Sequence, residues 1–149
     1  MDYYPCTKVQ LSLLVLFVIN IVMLTNASFW NPAITETFTS AISQSTPLLD
    51  VHCQSKDNDL GIRTLKSGDK FDFSFHRTLL DTTHFYCKFT WGANTTTFDV
   101  YYKHKSPCKY TGVIATDLCC TWMIEDNAIY LARTNNPSPH DFEYVRTWD

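Results

Sequence analysis

Apolar and polar side chains alternate strictly in several short segments of this chain, and this alternation limits the fold more than any other feature. Phe71, Phe73 and Phe75 are separated by Asp72 and Ser74. Successive side chains of a β-strand point to opposite faces of a sheet. The segment is therefore predicted to be a strand with one buried face.

Three further segments show the same period of two. Their predicted buried faces are Phe85, Cys87, Phe89 and Trp91; Phe98, Val100 and Tyr102; and Cys120, Trp122 and Ile124. The short segment 92–96 predicts a hairpin loop between the first two, and residues 125–127 turn the chain into a strand over 128–132. Several short strands at this spacing favour an all-β fold, a small antiparallel β-sandwich.

The first 27 residues have the pattern of a secretory signal peptide. Residues 11–24 are almost wholly apolar, and small residues follow at 25–27. As a helix, this apolar run would reach about 21 Å, which is short of the ~30 Å hydrocarbon core of a bilayer. We therefore predict cleavage after Ala27 and an exported chain with no membrane segment.

The composition divides the rest of the chain into three parts. Residues 28–47 are rich in Ser and Thr and are expected to form an N-terminal arm, whose residues 34–42 could be a first strand. Residues 48–133 carry the strands of the sandwich domain. Residues 134–149 form a polar tail with prolines that we expect to be poorly ordered. Because 45% of the residues are hydrophobic, the chain can bury one real core.

An odd number of cysteines follows the signal peptide, and an exported protein is expected to form disulfides with them. They are Cys53, Cys87, Cys108, Cys119 and Cys120. Cys120 is in phase with the buried face of its strand, which predicts a buried bridge from Cys120 to Cys53 or Cys87. Cys119 then points outward, and it either bonds to Cys108 or stays unpaired. The sandwich is thus expected to be stapled by disulfides whose connectivity is open.

The polar segment HCQSKDNDLG, residues 52–61, does not fit a metal site. In a calcium loop that began at Asp57, Gly61 and Gly68 would occupy positions where oxygen ligands are needed. His52 and Cys53 are neighbours in an extended segment, so they point to opposite faces and do not suit zinc. No metal or cofactor site is predicted.

The same segment is typical of a turn between two strands. Its Asx side chains can bond to their own backbone, and Gly61 can adopt a backbone conformation that other residues resist. These Asx residues are Asp57, Asn58 and Asp59. We therefore expect a strand to end near Cys53 and a turn to follow.

The histidines do not form a recognisable catalytic motif. They are His52, His76, His84, His104 and His140. The chain has no G-x-S-x-G elbow, and bridged cysteines are not nucleophiles. His84 lies on the outward face of its predicted strand, so it is expected to face solvent. No catalytic residue is predicted.

Charge and glycosylation signals complete the picture of an exported protein. The net charge is −3 and no basic run occurs, which argues against a nucleic-acid partner. Asn94-Thr95-Thr96 is a glycosylation sequon at a predicted hairpin tip, so a glycan is predicted on Asn94. Asn26 is not expected to be modified, because cleavage after Ala27 would split its sequon.

Several segments, in this order, resemble the plant self-incompatibility protein S1 family, the S-protein homologues. They are VHCQSKDNDLG, SGDKFDFSF, THFYCKFTW, TFDVYY and CTWMIEDNAIYL, between about residues 51 and 131. The resemblance implies a small secreted β-sandwich with two disulfides and no enzymatic activity. It also implies a partner, because the poppy members of this family are stigma-secreted ligands that a pollen transmembrane receptor recognises.

The resemblance also assigns cysteines one by one. Cys53, Cys87 and Cys120 match three of the four cysteines of the family pattern. The fourth would fall at position 117, which is Asp117 here. The resemblance therefore implies that Cys119 or Cys108 takes this role, or that one bridge is missing.

The favoured function is an extracellular, monomeric, non-enzymatic ligand of an unidentified cell-surface receptor, with no cofactor. The alternatives are a secreted hydrolase or ribonuclease, and a wall-glycan binding module that uses Tyr86, Tyr101 and Tyr110. Geometry separates the three. An enzyme needs a cleft with convergent polar groups, a glycan-binding module needs an aromatic platform, and a ligand of a receptor needs neither.

Overall fold

The computed structural model describes residues 14–21, 33–43, 46–76, 82–102, 107, 117–134 and 136–149. The chain divides into two units, Met1–Asn31 and Pro32–Asp149. In the first unit, residues 14–21 are helical. No helix among the described residues has both the length and the apolar character that a membrane crossing requires. The signal peptide over residues 1–27 stays a prediction.

The described part of the second unit is built from nine β-strands and one short 3₁₀ helix. The strands are β1 (Ala33–Ser40), β2 (Leu49–Ser55), β3 (Asp59–Leu65), β4 (Lys70–His76), β5 (His84–Trp91), β6 (Asn94–Tyr102), β7 (Asp117–Ile124), β8 (Ile129–Ala132) and β9 (Glu143–Arg146). The 3₁₀ helix, Pro139–Asp141, precedes β9. The predicted all-β class is confirmed.

The strands form a five-stranded sheet, in the order β4-β1-β7-β8-β9, and a four-stranded sheet, in the order β3-β2-β5-β6. The described strands form seven pairs, and six of these pairs are antiparallel. The exception is β1 with β7, which run parallel. The predicted antiparallel sandwich is confirmed, with one parallel pair that the sequence pattern did not indicate.

Aromatic rings hold the two sheets together. Phe38 of β1 is fully buried, and its ring centroid lies 5.6 Å from that of Phe89 in β5 and 6.3 Å from that of Trp122 in β7. Near one end of the sandwich, Phe75 of β4 lies 4.7 Å from Phe85 of β5. Aromatic pairs at such distances contribute about 0.5–1.5 kcal/mol each beyond the area that they bury. The two sheets therefore share one core.

The predicted strand faces are confirmed for β4, β5 and β7, and the prediction for β6 is wrong at its end. In the pairing of β5 with β6, Phe85 lies opposite Tyr101 and Tyr86 lies opposite Asp99, so Val100 is an extra residue in β6. Such a bulge shifts the alternation by one residue. Tyr101 is consequently buried, with 2% of its surface exposed, and it replaces Tyr102 in the core.

The N-terminal arm expected over residues 28–47 contains a central strand of the sandwich. The strand β1 lies between β4 and β7, and the side chains of Ile34 and Phe38 are fully buried. Glu36 and Ser40 occupy the buried positions between and after them. These two polar residues concealed the apolar pattern, so the sequence placed the start of the domain too late.

The expectation of a poorly ordered tail over residues 134–149 is wrong for its last part. Residues Glu143–Arg146 form β9, which pairs with β8. The indole Nε1 of Trp148 donates a hydrogen bond of 3.1 Å to the Glu125 carbonyl oxygen, and its ring lies 6.2 Å from that of Trp91. The strand pairing and the contacts of Trp148 together order a segment whose composition is typical of a loop.

The cysteine pairing differs from the prediction made from strand phase. Cys53 of β2 and Cys87 of β5 lie opposite each other and are joined by a disulfide, so Cys120 is bonded to neither of them. Neighbouring strands of one sheet are about 5 Å apart and facing sheets about 10 Å, which favours a bridge within the sheet. Cys120 is fully buried and disulfide-bonded, whereas Cys119 is half-buried on the opposite face. Cys108 lies outside the described residues.

Among the described residues, Glu36 on the inward face of β1 places a carboxyl group in the core. Its side chain has no exposed surface, and the indole Nε1 of Trp122 donates a hydrogen bond of 2.7 Å to its Oε2 atom. Burial raises the pKa of Glu36 to about 8, although the hydrogen bond from Trp122 acts in the opposite direction. The folded protein therefore holds a proton that the unfolded chain loses at lower pH.

We expect the free energy of unfolding to fall as the pH rises from the ordinary glutamate pKa of 4.5 to about 8. The stabilisation is complete below the lower value, and its loss over this window is on the order of a few kcal/mol. Glu36→Gln keeps the shape and the hydrogen-bond acceptor and should flatten this dependence. Urea unfolding at several pH values measures it. The control is Asp72→Asn, an exposed change on β4, which should keep the wild-type slope; equal slopes in wild type and Glu36→Gln would contradict the assignment.

Candidate functional site

The outer face of the four-stranded sheet carries a set of polar and aromatic side chains that contact one another. We call it the His52 face and define it by His52, Gln54, Asp59, His84, Tyr86 and Asp99. These residues lie on β2, β3, β5 and β6, and each is half-exposed or exposed. The strands fix their backbone positions, so the side chains start from a rigid support.

The strand register brings the members of the His52 face together. Gln54 of β2 lies opposite Tyr86 of β5, and it also lies opposite Asp59 of β3. The pairing of β2 with β3 shifts between His52 and Gln54, where β3 contains Gly61. Gly61 has a φ of +71°, which is in the left-handed region that favours glycine.

The predicted turn after β2 is confirmed. The backbone N–H of Ser55 donates a hydrogen bond of 2.7 Å to the Asn58 carbonyl oxygen. The side-chain Oδ1 of Asp59 accepts a hydrogen bond of 2.8 Å from the Gly61 backbone N–H. Asp59 therefore makes the local backbone bond that the sequence predicted, and its carboxylate also has a second role on the face.

A continuous chain of hydrogen bonds crosses three strands. The hydroxyl of Tyr86 donates to Gln54 Oε1 over 3.0 Å, Gln54 Nε2 lies 3.2 Å from His52 Nδ1, and His52 Nε2 lies 2.7 Å from Asp59 Oδ1. A carboxylate only accepts, so Nε2 of His52 carries the proton that it donates to Asp59. Gln54 Nε2 also lies 2.9 Å from His52 Nε2, so the amide group contacts both ring nitrogens.

The carboxylate of Asp59 ends this chain as a charged acceptor. The Gly61 backbone N–H and, next, the His52 imidazole hold the pKa of Asp59 below its ordinary value. Sequence reasoning assigned Asp59 to the turn alone. The pairing with His52 was missed because it depends on the shift in register at Gly61, which a single strand pattern does not reveal.

A second histidine–carboxylate pair lies at the end of the same face. His84 Nε2 lies 2.7 Å from Asp99 Oδ1, and the His84 ring lies 4.7 Å from that of Tyr102. His84 points outward as predicted, with 39% of its side chain exposed. The bulge at Val100 places Asp99 opposite Tyr86, so this pair also follows from an irregularity in the strand pairing.

A cleft of about 380 Å³ lies at the end of the sandwich where β2 and β4 end and β5 begins. Phe75 and Phe85 line it together with polar groups that include Lys56, His76 and His84. The sandwich therefore has the concave feature that separates a small-ligand or enzyme site from a plain surface. On the His52 face itself there is a shallower pocket of about 140 Å³, lined in part by His52, Ile62 and Lys88.

The structure does not bring together the aromatic platform expected of a glycan-binding module. Tyr101 is buried, so it cannot stand beside the half-exposed Tyr86 on the surface. Tyr110 and His104 lie outside the described residues. Within the described ranges, no group of three or more His, Cys, Asp or Glu side chains is arranged to hold a metal ion.

The fold and the intra-sheet disulfide define a class, the small disulfide-bridged β-sandwich. The family model for the plant self-incompatibility protein S1 matches residues 37–148, and the chain belongs to this family. Self-incompatibility protein S1 of Papaver rhoeas is 37% identical over 82 residues, which cover 55% of this chain and 56% of that protein. S-protein homolog 3 of Arabidopsis thaliana is 30% identical over 101 residues, which cover 68% of this chain and 63% of that protein.

A solved structure supports the fold. It is described as "Structure of SPH (Self-Incompatibility Protein Homologue) proteins, a widespread family of small, highly stable, secreted proteins from plants". It has a TM-score of 0.56 and 18% sequence identity, and the match covers 79% of this chain and 96% of that chain.

The chain spans less than two thirds of the length of the curated relatives named above. The match covers 56% of the Papaver rhoeas protein and 63% of S-protein homolog 3. The family is one of secreted proteins, so the predicted extracellular localisation is confirmed at the level of the family.

The hydrogen-bond chain predicts which ring nitrogen of His52 carries the proton. Neutral His52 should carry its proton on Nε2, because the Asp59 carboxylate accepts a hydrogen bond from that atom. Long-range ¹⁵N–¹H correlation spectra measure the two tautomers directly. Asp59→Asn should lower the population with the proton on Nε2 at His52 and leave His84, which has its own carboxylate, unchanged. A predominant Nδ1–H form of His52 in the wild-type protein would show that the chain is not formed.

Proposed function

We propose that the protein is a secreted, non-enzymatic ligand of a cell-surface receptor and that the receptor contacts the His52 face. The family membership supports a role in signalling between cells, since its matched relative in Papaver rhoeas is a self-incompatibility protein. The receptor is a protein of the plasma membrane, and the ligand acts as a monomer without a cofactor.

The observation that carries this proposal is the hydrogen-bonded chain from Tyr86 to Asp59. A chain of polar side chains that is already ordered in the free protein loses little conformational freedom when a partner binds. Tyrosine is also among the residues that contribute most to protein interfaces. The His52 face combines both features on strands that the Cys53–Cys87 bridge joins.

The outward positions of β1, in the five-stranded sheet, offer a contrast within the same molecule. Thr35, Thr37 and Thr39 point outward, and Thr35 Oγ1 lies 2.7 Å from Ser74 Oγ. These small side chains provide neither aromatic area nor a charged acceptor. They therefore supply matched control positions for the His52 face.

Export and glycosylation belong to the same proposal. Residues 1–27 act as the signal peptide, and Asn94 carries a glycan at the start of β6 after the two-residue turn Gly92-Ala93. The side chain of Thr96, whose hydroxyl the sequon requires, is only 1% exposed in the folded protein. Glycan transfer to Asn94 thus takes place before β6 packs.

Binding to intact cells tests the receptor proposal. The labelled wild-type protein should bind protoplasts of the source plant in a saturable manner, and unlabelled protein should compete. The double variant Gln54→Ala/Tyr86→Ala should bind at least about tenfold more weakly, because it removes the centre of the His52 face. The matched control Thr37→Ala/Thr39→Ala should bind like the wild type.

Thermal unfolding of each variant separates lost recognition from lost folding. A folded Gln54→Ala/Tyr86→Ala variant with wild-type binding would show that the receptor contacts another surface. Absence of saturable binding to protoplasts from every tissue of the plant would contradict the receptor proposal itself.

A further inference from the structure

The cleft at the end of the sandwich lies apart from the centre of the His52 face. Its volume of about 380 Å³ falls in the range of small-molecule sites, roughly 300–1,000 Å³. The turn after β2, the end of β4 and the start of β5 contribute its described walls. Asn94 lies at the opposite end of β5 and β6, so a glycan there would leave the cleft open.

The floor of the cleft is aromatic. The rings of Phe75 and Phe85 lie 4.7 Å apart with an angle of 40° between their planes. Phe85 is buried and Phe75 is half-buried, and both line the cleft. Aromatic rings of this kind can pack against the apolar face of a ring-shaped ligand. This contact adds to the stabilisation that comes from removing apolar area from water.

The rim of the cleft carries nitrogen groups. Lys56 is exposed on the turn after β2 and contributes an ammonium group, and the imidazoles of His76 and His84 also line the cleft. His84 directs Nε2 at the Asp99 carboxylate, so Nε2 is the donor and Nδ1 is an acceptor that suits a ligand hydroxyl. The ammonium group of Lys56 is suited to a carboxylate.

Oxygen groups on the same rim select among anions. Ser55 and Asp57 line the cleft beside Lys56. Their hydroxyl and carboxylate can bond to ligand hydroxyls, but Asp57 would repel a phosphate dianion. The combination therefore fits a ligand that has a flat apolar face, several hydroxyls and a single negative charge.

We propose that the cleft binds a sugar acid, the uronate ring of an oligosaccharide. The ring packs on Phe75 and Phe85, its carboxylate contacts Lys56 and His76, and its hydroxyls bond to Ser55 and Asp57. This site is distinct from the aromatic platform that the sequence suggested for glycans. Its test is separate from the receptor test, since the cleft does not use Gln54 or Tyr86, although His84 belongs to both the cleft and the His52 face.

Calorimetric titration with a galacturonic acid trimer tests the site, with the fully methyl-esterified trimer as comparison. The acidic trimer should bind about tenfold more tightly than the ester, because only the acid gains the charge-assisted bonds to Lys56. Lys56→Gln should remove this difference by weakening binding of the acid alone. Phe75→Leu should weaken binding of both trimers.

The matched control is Lys88→Gln, which removes an exposed lysine from the outer face of the same sheet. It should leave both affinities unchanged. Both lysine variants should keep the wild-type unfolding midpoint, whereas Phe75→Leu loses ring contacts in the core and should have a lower midpoint while it stays folded at the titration temperature. Equal binding of acid and ester, an equal loss in Lys56→Gln and Lys88→Gln, or no binding of either trimer would overturn the proposal. Because the titration uses no cells, its failure would not affect the receptor proposal, and failure of cell binding would not affect the cleft.

Discussion

The register of β2 against β5 determines which side chains the four-stranded sheet presents to solvent. Cys53 lies opposite Cys87, so the disulfide between them pins this register at the centre of both strands. A slip by one residue would turn every side chain of β2 to the other face. His52 and Gln54 would then enter the core, and Val51 would face water. The hydrogen-bonded chain on the His52 face therefore depends on this bridge.

The inner side of the five-stranded sheet depends on a different balance. Phe38 and Trp122 pack between the sheets, but Glu36 brings a carboxyl group into the same core. The indole N–H of Trp122 satisfies one of its oxygens, and burial keeps the acid protonated over a wide pH range. The polar side chains proposed for recognition thus lie on the outer face of β2, β3 and β5, and the core includes a costly carboxyl group on β1.

The sequence predicted the class, the hairpins and most buried faces, because regular alternation is a local property of each strand. It did not predict the β6 bulge that exchanges Tyr101 for Tyr102, or the irregularity at Gly61 that joins His52 to Asp59. Both arise from pairing between strands. The central position of β1 was hidden by Glu36, and the order of the C-terminal segment arises from contacts with distant residues, among them the pairing of β9 with β8 and the hydrogen bond from Trp148 to the carbonyl of Glu125. The bridge partner of Cys87 also required the sheet order, which strand phase alone does not provide.

Mapping of the disulfides in the secreted protein tests the central claim most directly. Digestion without reduction, followed by mass spectrometry, identifies which cysteine-containing peptides are joined. The account predicts a linked pair of peptides that contains Cys53 and Cys87, with Cys120 in a different linkage. A peptide pair that joins Cys120 to Cys53 or Cys87 would contradict it, because the register that builds the His52 face would then lack its bridge.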